Sequence, residues 1–192
     1  MDRRDSPLIV GIGGTTMPQS STERALTAAL AAAAQAGART RLFGGAALAR
    51  LPLYTPGVAE RTTDEARLIA SIREASGIVI ASPGYHGSVS GLVKNAIDLI
   101  EETAGDARPY FDDMPVGLIA TAYGWQATGS TIAALRSIVH ALRGWPTPFA
   151  AAINSSTCSF GETGCSDAAT ADAVARVGRQ VAHAVLDRQV AA

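Results

Sequence analysis

Three short segments rich in glycine and hydroxyl groups hold the residues of this chain best suited to chemistry. The first, Gly13–Thr22, reads GGTTMPQSST and lies between an apolar run and an alanine-rich stretch. Thr15, Thr16, Ser20, Ser21 and Thr22 each carry a hydroxyl proton. The glycines open backbone N–H groups, and a helix starting near Thr22 would add the partial positive charge of its N-terminus. A phosphate dianion is the natural guest of such a loop. It is not a nucleoside-triphosphate loop, because Gly-Lys-Ser/Thr is missing. It is not the dinucleotide fingerprint either, since the last glycine of that pattern is missing after Gly11 and Gly13. The second segment is Ser82-Pro83-Gly84-Tyr85-His86-Gly87-Ser88, whose two glycines permit tight turns and close approach of backbone to a flat ligand. Tyr85 and His86 add ring surface and polar tips. The third, Thr121–Gly129, places Tyr123 and Trp125 on either side of Gly124. Aromatic groups there suit a planar ring, or equally the closing of a core or a subunit contact.

The elements that must position these loops follow from hydrophobic periodicity. Leu8–Ile12, Gly77–Ala81, Pro115–Ala120 and Phe149–Ile153 are short apolar runs of the kind found in strands buried on both faces. Arg39–Phe43 is a more exposed strand, because arginines alternate with apolar residues. Helices are expected over Thr22–Ala36, Thr62–Ala75, Ser88–Glu102, Ser130–Leu142 and about Asp167–Asp187. Val89, Leu92, Val93, Ala96, Ile97 and Ile100 share one face of the third helix, and Val174, Val177, Val181 and Val185 stripe the last. Thr62 or Thr63 caps the second. Gly44–Gly57, with Pro52 and Pro56, reads as a loop. Strand and helix thus alternate five times with no linker, which predicts one α/β domain over residues 1–192 built on a parallel sheet covered on both faces. Ligands of such sheets bind beyond the carboxyl ends of the strands, at the switch point in strand order, and all three segments fall there.

Bulk properties narrow the classes. Of 192 residues, 47% are hydrophobic and 17% charged, with a net charge of −1, so nothing advertises a nucleic-acid or anionic-membrane partner. The run Leu8–Ile12 is too short to span a membrane, and no signal-peptide cleavage pattern follows it, so the expectation is a soluble cytoplasmic protein. Cys158 and Cys165 match no zinc spacing, and His86, His140 and His183 do not obviously complete one; no metal site is expected. The two cysteines read as reduced thiols in a loop, with a local disulfide left open by their closeness.

Ser82–Glu102, SPGYHGSVSGLVKNAIDLIEE, resembles the NADPH-dependent FMN reductase family, a branch of the flavodoxin-like superfamily. The family carries a Pro-x-Tyr-x-(Gly/Ala)-Ser turn followed by Gly-x-x-Lys-Asn-(Ala/Leu)-Ile-Asp. Here these are Pro83, Tyr85, Gly87, Ser88, Gly91, Lys94, Asn95, Ala96, Ile97 and Asp98, and a looser likeness extends from Leu8 to about Ile153. The resemblance implies a flavodoxin-like, five-stranded parallel sheet in the order 2-1-3-4-5. It implies FMN as cofactor and NADPH or NADH as electron donor. It places Thr15, Ser20, Ser21 and Thr22 at the FMN phosphate. Pro83, Gly84, Tyr85, His86, Gly87 and Ser88 would lie beside the isoalloxazine ring, with Tyr123 and Gly124 near its pyrimidine end. Met17 occupies a position where many members have arginine facing the phosphate, and Arg24 is the candidate to replace it. His86 stands where asparagine is frequent, as it does in similar sulfonate-utilisation flavin reductases.

Hydride passing from nicotinamide to flavin asks the protein to stack two rings and neutralise charge, so no general acid or base is expected. The activity implied is an NAD(P)H-dependent FMN reductase, supplying reduced flavin to a monooxygenase or passing electrons to another acceptor. A quinone, azo-dye or chromate reductase on the same scaffold is the near alternative. A flavodoxin-like electron carrier is a different class, and the balance of 16 basic and 17 acidic residues argues against its usual acidity; a non-catalytic binding subunit is a further one. A homodimer or homotetramer is implied, with the Ser88–Glu102 and Ser130–Leu142 helices as candidate interfaces. Arg39, Arg41 and Arg50 are candidates for a nicotinamide 2′-phosphate.

Overall fold

The structure, a computed structural model, describes residues 6–158, 160–161 and 164–191. In chain order the elements are β1 (Leu8–Gly13), α1 (Ser21–Gln35), β2 (Arg39–Phe43), α2 (Gly45–Leu48), α3 (Thr63–Glu74), β3 (Gly77–Tyr85), β4 (Ser88–Val89), α4 (Gly91–Asp98), a 3₁₀ turn (Leu99–Thr103), β5 (Pro115–Ala122), α5 (Trp125–Ala141), β6 (Trp145–Asn154), β7 (Phe160–Gly161), β8 (Gly164–Cys165) and α6 (Ala168–Ala191). Five strands form a parallel sheet in the order β2-β1-β3-β5-β6. Counting only these five, that is the expected 2-1-3-4-5, with the direction of strand order reversing between β1 and β3.

Each strand sends alternate residues to opposite faces, and the two faces are filled differently. On one side Val10, Ile12, Ile78, Ile80, Val116 and Leu118 pack with residues of α3, α4 and α5. On the other, Ile9, Val79, Ala81 and Ile119 meet α1 and α6, where the Val174–Val185 stripe is buried as expected. Small residues let those two helices lie close to the sheet. A Cβ on Gly117 would come within 2.6 Å of Val177, and one on Gly77 within 2.7 Å of Val181. Among the described residues, no helix is long and apolar enough to cross a membrane.

Several boundaries differ from the periodicity reading. The stretch expected to be helical from Ser88 begins its helix only at Gly91, because Ser88 and Val89 pair antiparallel with Tyr85 and Gly84. Ser90 is the cap, its hydroxyl accepting from the Val93 amide at 3.2 Å. The same stretch finishes as a 3₁₀ turn. α5 starts at Trp125, five residues earlier than expected, so the third segment is a tight turn rather than a long loop. Helical periodicity missed this turn because Trp125, Gln126 and Gly129 are exposed. β6 begins at Trp145, with a register irregularity in its pairing between Val116 and Leu118. The segment Gly44–Gly57 contains the single turn α2.

The cap of α3 carries a pH consequence. Thr62 and Glu65 form a reciprocal capping box: the Glu65 carboxylate accepts from the Thr62 amide at 2.7 Å and its hydroxyl at 2.8 Å, and the Thr62 oxygen accepts from the Glu65 amide. Arg61 donates to the same carboxylate at 3.2 Å. Burial pushes the Glu65 carboxyl upward, but these donors outweigh it and hold it below the usual carboxylate range. A depressed folded-state value contributes stability above the unfolded pKa, near 4.3, and loses it as pH falls through the folded value. Glu65→Gln is therefore expected to lower stability at pH 7 by about 2 kcal/mol. It should also flatten the fall in the urea midpoint between roughly pH 5 and pH 3. An unchanged acid limb would remove Glu65 from that role.

Candidate active site

The carboxyl ends of four strands are brought side by side by the register: Gly13 of β1 beside Ala81 of β3, Pro83 of β3 beside Thr121 of β5, and Ala122 of β5 beside Asn154 of β6. All three segments singled out in the sequence therefore emerge from one edge of the sheet.

The first loop is shaped by Gly14 at φ 123° and Gln19 at φ 51°, both in the left-handed region. Thr15 folds the loop locally, its oxygen accepting from the Met17 amide at 3.1 Å. Ser20 caps α1, its oxygen accepting from the Glu23 amide at 3.3 Å, which leaves its proton available to an acceptor. The first intrahelical bond runs from the Arg24 amide to the Ser20 carbonyl, so the amides of Ser21 and Thr22 precede it in the turn where a helix offers unpaired donors. Thr15, Ser20 and Ser21 are half-buried at this edge. Thr22 lies lower; its hydroxyl is buried and paired with that of Thr121 at 2.5 Å, tying the first loop to β5. Met17 is 71% exposed. Arg24 turns back onto the loop, donating to the Gln19 carbonyl at 2.7 Å and to its side-chain oxygen at 2.8 Å.

The second segment is a two-residue hairpin. β3 runs on through Pro83 and Gly84 to Tyr85, His86 and Gly87 turn the chain at φ 50° and 86°, and Ser88 returns. Positive φ at both central residues matches the strand twist of the tightest hairpins, and glycine is the usual second residue of such turns. Its base is locked by Ser82, whose hydroxyl accepts from the Ser90 amide at 3.0 Å and donates to the Pro83 carbonyl. Gly84 has no room for a side chain, since a Cβ would fall 2.5 Å from the Thr131 hydroxyl and 3.2 Å from the Ala127 carbonyl of α5. Pro83 is buried, whereas Tyr85, His86, Gly87 and Ser88 are exposed.

In the third segment Tyr123 is 84% exposed, and Gly124, at φ 120°, precedes α5. Its amide donates to the Asn154 side-chain oxygen at 3.0 Å. Gly87 and Gly124 each face open space where a Cβ would go. Both border a cavity of about 400 Å³ together with Tyr123, Trp125, Gln126, Ala127 and Ser130. A flat ring can thus approach bare backbone from this side, and the hydroxyls and helix N-terminus of the first loop suit its phosphate. The donor set fits a phosphorylated, planar cofactor.

Several positioning residues were not evident in the sequence. Asn154 is buried, and its side-chain oxygen gathers the Gly124 amide, the Ser156 amide at 3.1 Å and the Ser156 hydroxyl at 2.7 Å. The signal was present in Asn-Ser-Ser after an apolar run, a typical side-chain-closed turn. Asn154→Ala strands those donors and should lower stability by about 2 kcal/mol while loosening the Gly124 turn. Urea unfolding tests the first effect, and faster amide hydrogen exchange at Gly124 the second. Glu23 accepts from the Gly45 amide at 2.7 Å and so pins α2 beside the first loop. In the Lys-Asn-Ala-Ile-Asp motif, Lys94 pairs with Asp98 at 2.6 Å. Asn95 accepts from the Tyr54 amide and donates to the Pro52 carbonyl, which clamps the preceding loop. Arg39 and Arg41 pair with Glu74, and Arg50 with Asp64. Among the described residues, no group of three or more histidine, cysteine or acidic residues is placed to hold a metal ion.

The chain is similar to known proteins in sequence and in fold. The FMN-dependent NADPH-azoreductase of Staphylococcus aureus is 32% identical over 110 residues, 57% of this chain and 55% of that protein. The chain thus spans about half the length of the curated relatives it matches. An oxidoreductase from Corynebacterium diphtheriae superposes with a TM-score of 0.72 at 20% identity, covering 95% of this chain and 97% of that one. An NADH:FMN oxidoreductase in its apo form gives 0.72 at 18% identity, covering 95% and 90%. These superpositions share the flavodoxin-like α/β fold. A family model, NADPH-dependent FMN reductase, matches residues 7–157. That span takes in the carboxyl ends of the five parallel strands and all three loops of the candidate site, and the chain belongs to the NADPH-dependent FMN reductase family.

Proposed function

We propose that this protein binds FMN at the carboxyl edge of its sheet and reduces it with NADPH or NADH. The observation that carries the reading is the convergence on one edge of a hydroxyl-lined helix N-terminus and two glycine turns facing open space. In this reading Thr15, Ser20, Ser21 and the first amides of α1 hold the phosphate, with Thr22 supporting them through Thr121. Pro83, Gly84, Tyr85, His86, Gly87 and Ser88 flank one side of the ring, and Tyr123 and Gly124 border its far end. FMN when bound supplies a ring that accepts hydride from a nicotinamide. The protein's part is to align the two rings and exclude water, with backbone amides of the turns meeting negative charge on the ring. No side chain is assigned a proton transfer.

The 32% identity to an FMN-dependent NADPH-azoreductase favours a second form of the same reading, in which FMN stays bound and electrons pass to an azo or quinone acceptor. A homodimer or homotetramer would cover the exposed Tyr85, Tyr123 and Trp125. The test is an absorbance spectrum of the purified protein, repeated anaerobically with FMN and NADPH. Catalytic bleaching of the flavin band near about 450 nm is expected, a wavelength belonging to the cofactor. Flavin that survives desalting indicates the retained-cofactor form; flavin that washes away indicates a supplier of reduced flavin to a partner such as a monooxygenase. Absence of flavin binding would overturn the proposal.

A further inference from the structure

Cys158 and Cys165 are free thiols whose sulfurs stand 3.0 Å apart. Cys158 closes the turn after β6, its amide donating to the Asn154 carbonyl at 3.0 Å, and its side chain is buried in the apolar layer beneath α1 and α6. Cys165 lies in β8, paired with Phe160 of β7, and is only half-buried. A sulfur–sulfur bond is about 2.0 Å long, so closing it asks the two side chains to approach by about one ångström. Cys158 and Cys165 already pack against one apolar cluster, and the approach required is small.

We propose that this pair is a reversible dithiol–disulfide site that takes small disulfides of the glutathione type as oxidant, a function separate from the flavin chemistry. The Cys165 thiolate, on the accessible side, attacks one sulfur of the oxidant. The oxidant's S–S bond breaks, one small thiolate leaves and takes up the proton that Cys165 gave up, and a mixed disulfide remains on Cys165. Cys158, lying directly behind, then attacks the Cys165 sulfur and displaces the second small thiol, which takes the Cys158 proton. Two protein thiols are oxidised by two electrons in all, and one disulfide is reduced to two thiols; excess dithiol reverses the exchange. Burial, and the Cys158 thiol beside it, hold Cys165 above the ordinary thiol range, so its attack quickens as pH rises.

The bond would have a structural consequence. β7 and β8 form one wall of a cavity of about 640 Å³ whose opposite wall is α1, including Arg24, and Gln19 of the first loop also lines it. Linking Cys158 to Cys165 fastens that wall to the turn that Asn154 holds against Gly124.

The full chain is incubated with glutathione disulfide and followed by intact mass and thiol titration. Both thiols should disappear together, the mass falling by two hydrogen atoms with no glutathione retained, and dithiothreitol should restore them. Cys158→Ser should accumulate a glutathione adduct on Cys165, whereas Cys165→Ser should react about tenfold more slowly, because its remaining thiol is buried. A lasting adduct on the wild-type chain would overturn the proposal. So would a disulfide-linked dimer, equal reactivity of the two variants, or two thiols left intact under conditions that oxidise a free dithiol. None of these readouts depends on flavin.

Discussion

Alanine at both Thr15 and Ser20 is expected to weaken FMN binding by about 100-fold and to leave riboflavin binding nearly unchanged. Each hydroxyl lies at the turn leading into α1, and each would give a phosphate one charge-assisted hydrogen bond worth about 1.5 kcal/mol. Two of them amount to about 3 kcal/mol, or about two powers of ten in affinity. The helix N-terminus remains in the variant and retains part of the attraction. Riboflavin carries the same ring without the phosphate, so it separates loss of a phosphate contact from general damage to the site. Ser20→Ala also removes the α1 cap and costs about 1 kcal/mol of stability, which thermal unfolding without flavin measures independently. If fluorescence titration shows both flavins weakened equally, the first loop is not the phosphate site.

Gly178→Ala is expected to damage the fold heavily for its size. A Cβ there would lie 1.9 Å from the Ala29 carbonyl oxygen and 2.7 Å from its carbon. Those are backbone atoms of α1, which cannot rotate aside, so α1 and α6 would have to separate along a seam where Ala25, Ala29, Ala33, Val177 and Val181 are buried. Such overpacking costs about 3 kcal/mol or more, and the better helix propensity of alanine returns at most about 1 kcal/mol. A net loss of roughly 2–3 kcal/mol lowers Tm by about 4–12 °C in a chain of this length. Gly129→Ala is the matched control: Gly129 lies within α5 with open space around it, and the same change should stabilise by about 0.5–1 kcal/mol. Equal effects from the two would show that the α1–α6 seam yields.

Much of this molecule was legible before any coordinates. The five strands follow from apolar runs such as Leu8–Ile12, because a strand covered on both faces has no solvent side to interrupt it. The valine stripe of α6 follows from the helical period, and the place of the candidate site from the rule that parallel sheets bind ligands at their carboxyl edge. The glycine and hydroxyl composition of the loops already pointed to phosphate and a flat ring. The tertiary structure decided what depends on residues distant in sequence. The Thr22–Thr121 hydroxyl pair spans 99 positions, and Asn154 reaches Gly124 across 30. No local pattern encodes such a pair, since either partner alone could face solvent. Ser88 and Val89 left the helix for the same reason: pairing with the end of β3 satisfies backbone groups that local propensity assigned to a helical turn. The close approach of Gly178 to Ala29 likewise exists only once α1 and α6 share a face. Periodicity determines which residues turn inward; what they meet there is settled only when the elements pack.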